Sequence, residues 1–144
     1  MLAEDQVTLV VDPGGDGRHG YLFAVNANGA QFDALIFDGG QMRHDWDALW
    51  QSSARIGADA WHAEVANPLL VFGRGREPAG AEGGPRMWRV NAERWMPRGS
   101  ERVRLAGIQP DKAVYSLGDA LPLPPVTADE EGWGLRAKAS LGGT

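Results

Sequence analysis

The stretch HGYLFAVNANGAQFDALIF, residues 19–37, constrains the fold of this chain more than any other. Two runs alternate apolar and small or polar residues, and Asn28-Gly29 separates them. A period of two places successive side chains on opposite faces of a strand, and Asn-Gly supplies the positive φ that a tight reversal needs. The spacing predicts a β-hairpin over 19–37. Tyr21, Phe23 and Val25 share a face of its first strand, with Phe32, Ala34 and Ile36 in register on the second.

The same alternation recurs along the chain. QVTLVVD (6–12) sets Val7, Leu9 and Val11 on one side and stops at Pro13-Gly14-Gly15. WQSSARIG (50–57) and AWHAEVAN (60–67) read as two strands joined by a Gly-Ala-Asp turn, the second ended by Pro68, which has no N–H for a ladder. MWRVNAERW (87–95) sets Trp88, Val90 and Ala92 against Arg89, Asn91, Glu93 and Trp95. ERVRLAGI (101–108) and WGLRAKASL (133–141) are further strands. Only 45–51 offers a helical spacing. GRGREPAGAEGGP (73–85) has no periodicity and reads as a long loop.

Twenty glycines and nine prolines punctuate these runs, and hydrophobic residues make up 43% of the 144, enough for one sizeable core. Short strands with turn signals about every 8–12 residues predict an all-β, antiparallel β-sandwich or barrel. The expected organisation is a sandwich domain over 1–108 and, over 109–144, a proline-rich linker with a C-terminal strand.

A net charge of -5 argues against nucleic acid as the partner. Arg74, Arg76, Arg86, Arg89, Arg94, Arg98, Arg102 and Arg104 read as a solvated, salt-paired sheet face. There is no cysteine, hence no disulfide or thiolate site. The opening MLAEDQVTLVVD lacks a basic n-region followed by an apolar h-region, so no signal peptide is expected in this chain.

Several elements, in order and spacing, resemble the carbohydrate-binding module family nine-like domain, in the subgroup that precedes an outer-membrane-barrel-like region. They are Asp12-Pro13, Gly20-Tyr21, Asn26 to Gly29, Phe32-Asp33-Ala34, Asp45 to Trp50, Trp61 to Pro68, and Trp88 to Asn91 with Arg94. The resemblance spans about residues 6 to 98. It implies a jelly-roll type of sandwich, sugar binding, and a periplasmic or outer-membrane-associated bacterial protein. It also implies that family strands ahead of Asp12-Pro13 are missing, as in an N-terminally truncated member.

DWDALW, residues 45–50, is the densest chemical motif. An extended strand would place Asp45 and Asp47 on one face with Cα atoms about 6–7 Å apart, a separation that permits a glycosidase pair without pointing to one. No third catalytic group accompanies them, so the chain is not expected to be an enzyme. A sugar platform suits the same residues: an indole offers a flat apolar face and carboxylates accept from hydroxyls. The candidate sugar-binding set is Trp46, Trp50, Asp45, Asp47, Trp95 and Arg94. The competing reading packs Trp50 in the core and leaves the aspartates on a turn. Trp61 and Trp88 fall on apolar faces and are expected in the core.

Asp12 and Asp16, set among glycines, could hold a structural calcium ion, which takes six to eight oxygens; the alternative is a loop whose glycines adopt positive φ. His19, His44 and His62 have no ligand spacing, and there is neither a Gly-x-Ser-x-Gly elbow nor a phosphate-loop ending. The expected function is non-catalytic binding of an oligo- or polysaccharide by stacking and polar clamping. The alternative is a cell-envelope structural or interaction domain with a decayed sugar site, attached to an outer-membrane barrel or partner chain.

Overall fold

A computed structural model of the chain describes residues 5–38, 40–68, 88–107, 113–123 and 133–142, with only the backbone of Pro68 and of 133–142. Among these residues the strands are β1 (Gln6–Asp12), β2 (Gly20–Asn26), β3 (Gln31–Phe37), β4 (Gln41–Arg43), β5 (Gln51–Ile56), β6 (Ala60–Pro68), β7 (Trp88–Met96), β8 (Glu101–Arg104), β9 (Leu121–Leu123) and β10 (Trp133–Gly142). They form an all-β sandwich of two antiparallel sheets. The larger has the order β4-β3-β2-β1-β7-β8, with β9 also paired to β7; the smaller has the order β10-β6-β5. The loop expected at 73–85, with Arg74, Arg76 and Arg86, lies outside the described residues.

The 19–37 hairpin forms. Its register pairs Val25 with Gln31 and Gly20 with Ile36. Asn26 clamps the connection, its Oδ1 accepting from the N–H groups of Asn28 (3.1 Å) and Ala30 (2.8 Å). Gly29 adopts φ 90°, the conformation that the Asn-Gly signal foretells.

One expectation about faces changes. Phe32, Ala34 and Ile36 stand opposite Ala24, Leu22 and Gly20, so they lie on the other side of the sheet from Tyr21, Phe23 and Val25. The large sheet is apolar on both faces. Its front packs Val7, Leu9, Val11, Tyr21, Phe23, Val25, Trp88 and Val90 against Trp50, Trp61, Ala63 and Val65 of the small sheet's side. Its back packs Val10, Leu22, Ala24, Ala34 and Ile36 under Val114 and Leu117. Every residue of β2 is therefore buried. A strand covered on both sides loses the polar alternation of a half-exposed one.

Residues 113–123 of the expected linker belong to this architecture, the expected C-terminal strand forms, and residues 124–132 lie outside the described residues. Leu121–Leu123 pairs with Trp88–Val90, and Trp133–Gly142 pairs with β6 along its length. Leu117, fully buried, comes down on Gly20. Its apolar residues have sheet surface to cover, which outweighs the extended bias of the prolines.

No helix forms over the described residues 45–51. Residues 44–50 instead carry the chain from the large sheet to the small one, with Trp46, Ala48 and Trp50 packing on the core between the sheets and Asp45, Asp47 and Leu49 exposed. Asp33 on β3 pins this crossover: its Oδ2 accepts from Trp50 Nε1 (2.9 Å) and from the Ala48 N–H (3.3 Å). This alternation answers why aromatics and carboxylates are interleaved there: one set seals the core edge and the other solvates it.

Candidate functional site

The tryptophans and aspartates of residues 45–50 are together in sequence but do not share a surface. Trp50 is buried and meets Phe23 edge-on at 5.2 Å, while Trp46 is half-buried against Tyr21 at 5.3 Å and Phe23 at 6.1 Å. Asp45 points outward to Arg43, whose Nε and Nη2 lie 3.2 and 3.1 Å from its carboxylate. That hydrogen-bonded pair holds the Asp45 carboxyl below its ordinary range and raises the Arg43 guanidinium. Asp47 is exposed. Trp61 and Trp88 sit in the core, as their strand phase implies.

Trp95 and Arg94 are split by strand alternation. Trp95 is half-buried, with the Arg102 guanidinium 4.6 Å from its ring centroid. Beside it, Glu93 is buried and accepts from Arg104 Nε at 2.7 Å, with Arg102 at 3.7 Å. Arg94 is in phase with Trp88 and Val90 on β7, on the side of the large sheet that faces the small one.

Asp12 and Asp16 organise their loop. The Asp12 carboxylate accepts from the N–H groups of Gly15 (2.8 Å) and Gly17 (2.7 Å), both glycines at positive φ. The Asp16 carboxylate accepts from the N–H groups of Arg18 (2.8 Å) and His19 (3.1 Å) and contacts His19 Nδ1 at 3.0 Å. Burial raises the Asp12 carboxyl against the pull of its two hydrogen bonds. For Asp16 burial also pushes upward, but the bonds from the His19 ring and the two N–H groups outweigh it and bring the carboxyl to about 2. All four carboxylate oxygens are engaged with N–H donors or the imidazole, and a calcium ion would compete with them for the same lone pairs.

Among the described residues an open concavity lies elsewhere, at the mouth of the space between the sheets. It encloses about 610 Å³. Asp5, Ala27, Arg94, Met96, Pro97 and Arg98 line it from the large sheet, and the β5–β6 turn, Ile56 to Trp61, from the small one. Asp5 and Ala27 continue the inward phase of β1 and β2 beyond the last core residues, Val7 and Val25. Arg94 and Asp5 form a two-pronged ion pair, Nε to Oδ1 at 3.0 Å and Nη2 to Oδ2 at 2.7 Å, across 89 residues of sequence. Arg94 is 11% exposed and Asp5 32%, so the carboxylate retains a face toward the groove. Ile56 is 66% exposed, while the Trp61 indole is 5% exposed and forms a wall rather than a platform. Its buried Nε1 has no hydrogen-bond partner among the described residues.

Of the sequence-predicted residues, the groove thus contains Arg94 alone. Asp5, Asp59, Trp61 and Arg98 were missed as site residues. A usable signal existed for one half of the ion pair: Arg94 interrupts an otherwise apolar inward face at a strand end. A charge there must find a partner. That the partner is Asp5 depends on β1 pairing with β7, Val7 opposite Arg94.

The chain matches no protein-family model, no curated protein and no solved structure.

Proposed function

We propose that this domain is a non-catalytic binding module that takes a short glycan in the groove between the sheet ends. The observation that carries the reading is the combination found there. A charge-balanced Asp5–Arg94 pair with a partly exposed carboxylate sits beside aliphatic surface from Ile56 and Met96, in an open volume of about 610 Å³. That volume is within the usual range for small-molecule sites, about 300–1,000 Å³. Sugar hydroxyls donate to the Asp5 carboxylate, and the C–H face of the ring packs on the aliphatic side chains. Polar clamping does the work that aromatic stacking was expected to do, since the Trp46, Trp50 and Trp61 indoles are committed to the core and its margin. The resemblance to family-nine-like modules supports the same reading. A jelly-roll connection, a cell-envelope location and a glycan of that compartment belong to this proposal.

The test is a titration with neutral mono- and disaccharides, followed by amide chemical shifts. Shifts confined to residues 56–61 and 94–98, abolished by Ala58→Trp at the exposed turn, are the expected result. Shifts scattered over the surface, or unchanged in Ala58→Trp, would refute the groove as the site.

A second reading has its own observation. Val103 (60% exposed), Leu105 (62%) and Leu121 (42%) form an apolar stripe beside β7, at the β8 and β9 edge of the large sheet. Exposed apolar patches of this kind mark interaction surfaces. In that reading the stripe, not the groove, is the working surface. Concentration-dependent association in sedimentation, removed by Val103→Lys with Leu105→Lys, would favour it.

A further inference from the structure

The groove carries two charges that the fold does not use. Asp59 stands in the β5–β6 turn and Arg98 in the 3-10 turn Pro97–Gly99 that follows β7. Both are exposed, and neither makes an ion pair within the described residues. They belong to opposite walls, one on each sheet. Between them the Asp5 and Arg94 charges cancel, each engaged with the other through two hydrogen bonds. The remaining lining there is apolar or small: Ile56, Ala58, Ala60, Met96 and Pro97.

We infer that the groove selects a zwitterionic ligand, one that carries a cationic and an anionic group on a body with an apolar face. Resting on the glycan reading above, this means an amino sugar that also bears a carboxylate. The arrangement dictates the polarity of binding. The ammonium meets Asp59, and the carboxylate meets the Arg98 guanidinium, whose planar fork suits two oxygens. A neutral sugar would leave both charges to water, and a singly charged one would satisfy a single wall. Both ion pairs are solvent-exposed, so each adds about two- to fivefold in affinity and weakens as salt rises.

The test is an amide-shift titration at pH 7 with five probes: glucose, glucosamine, glucuronic acid, muramic acid, and 5-aminovaleric acid as a zwitterion without a sugar ring. Wild type is compared with Asp59→Asn and Arg98→Gln, substitutions at exposed turn positions. Muramic acid should bind about tenfold more tightly than glucose. Asp59→Asn should reduce it to the affinity of glucuronic acid, and Arg98→Gln to that of glucosamine, with glucose unaffected by either. Equal affinities for glucose and muramic acid, both indifferent to the two variants, would overturn the charge selection while leaving a glycan groove. Binding of 5-aminovaleric acid but of no sugar would retain the charge selection and remove the glycan reading. Silence of the groove resonances with all five probes would remove both.

Discussion

Gly20→Ala is a severe test of how the back of the large sheet is assembled. The glycine is the first residue of β2, and a Cβ there would lie 2.7 Å from the Val11 carbonyl oxygen and 2.9 Å from Leu117 Cδ1. The obstacle is space rather than backbone conformation, since Gly20 is not among the positive-φ glycines. Leu117 is fully buried and the Val11 carbonyl belongs to a strand buried on both sides, so neither gives way freely. Opening that contact by about half an ångström is an overpacking strain of about 2–3 kcal/mol. The alanine also restricts the unfolded chain, which returns about 0.5–1 kcal/mol. The net expectation is a loss of about 1–2 kcal/mol, a fall in Tm of about 3–7 °C for a domain of this size. Urea unfolding followed by tryptophan fluorescence measures the loss. Leu117→Ala alone should cost about 2–4 kcal/mol through its cavity, and the double variant should cost about 1 kcal/mol less than the sum, because truncating Leu117 relieves half of the clash. A Gly20→Ala variant within about 0.5 kcal/mol of wild type would refute the reasoning, as would full additivity in the double variant.

Two further outcomes follow from the polar contacts. Asp33→Ala removes the acceptor of a buried indole N–H, so it should cost about 1–3 kcal/mol, while Asp33→Asn, which keeps a carbonyl acceptor, should recover most of that; equal losses in the two would show that the hydrogen bond to Trp50 is not what pins the crossover. Asp16 has a folded-state carboxyl near 2, below its unfolded value of 3.8. Its contribution is therefore complete above pH 3.8 and is lost as pH falls from there toward 2. The side chain is 34% exposed, which reduces the effect to about 0.5–1 kcal/mol. Acid unfolding of Asp16→Asn should run flatter than wild type over that window. A difference of opposite sign would sink the assignment, since Asp12, raised by burial, acts in the other direction.

Much of the layering was legible residue by residue. Val7, Leu9, Val11, Tyr21, Phe23, Val25, Trp61, Val65 and Trp88 fall on the face their alternation assigns, because a pleated strand admits only two sides. The back face was not legible. Val10, Leu22 and Ala24 look like interruptions of a polar side until residues 113–117 are seen to cover them. Strands β4 and β9, three residues each, are too short to show a period.

The site divides in the same way. Sequence alone determined the longer strands, most of their turns and the alternation of side chains along each, since these depend on neighbours within a few residues and on backbone sterics. It placed Trp50 and Asp45 five residues apart but could not show that one faces the core and the other water. Only the tertiary structure decided that Asp5 meets Arg94, that Asp33 holds Trp50, and that the sheets part beyond Val7 and Val25 to leave a groove. Those outcomes depend on which strands become neighbours, and pairing over 89 residues is set by the whole buried surface and not by any local run.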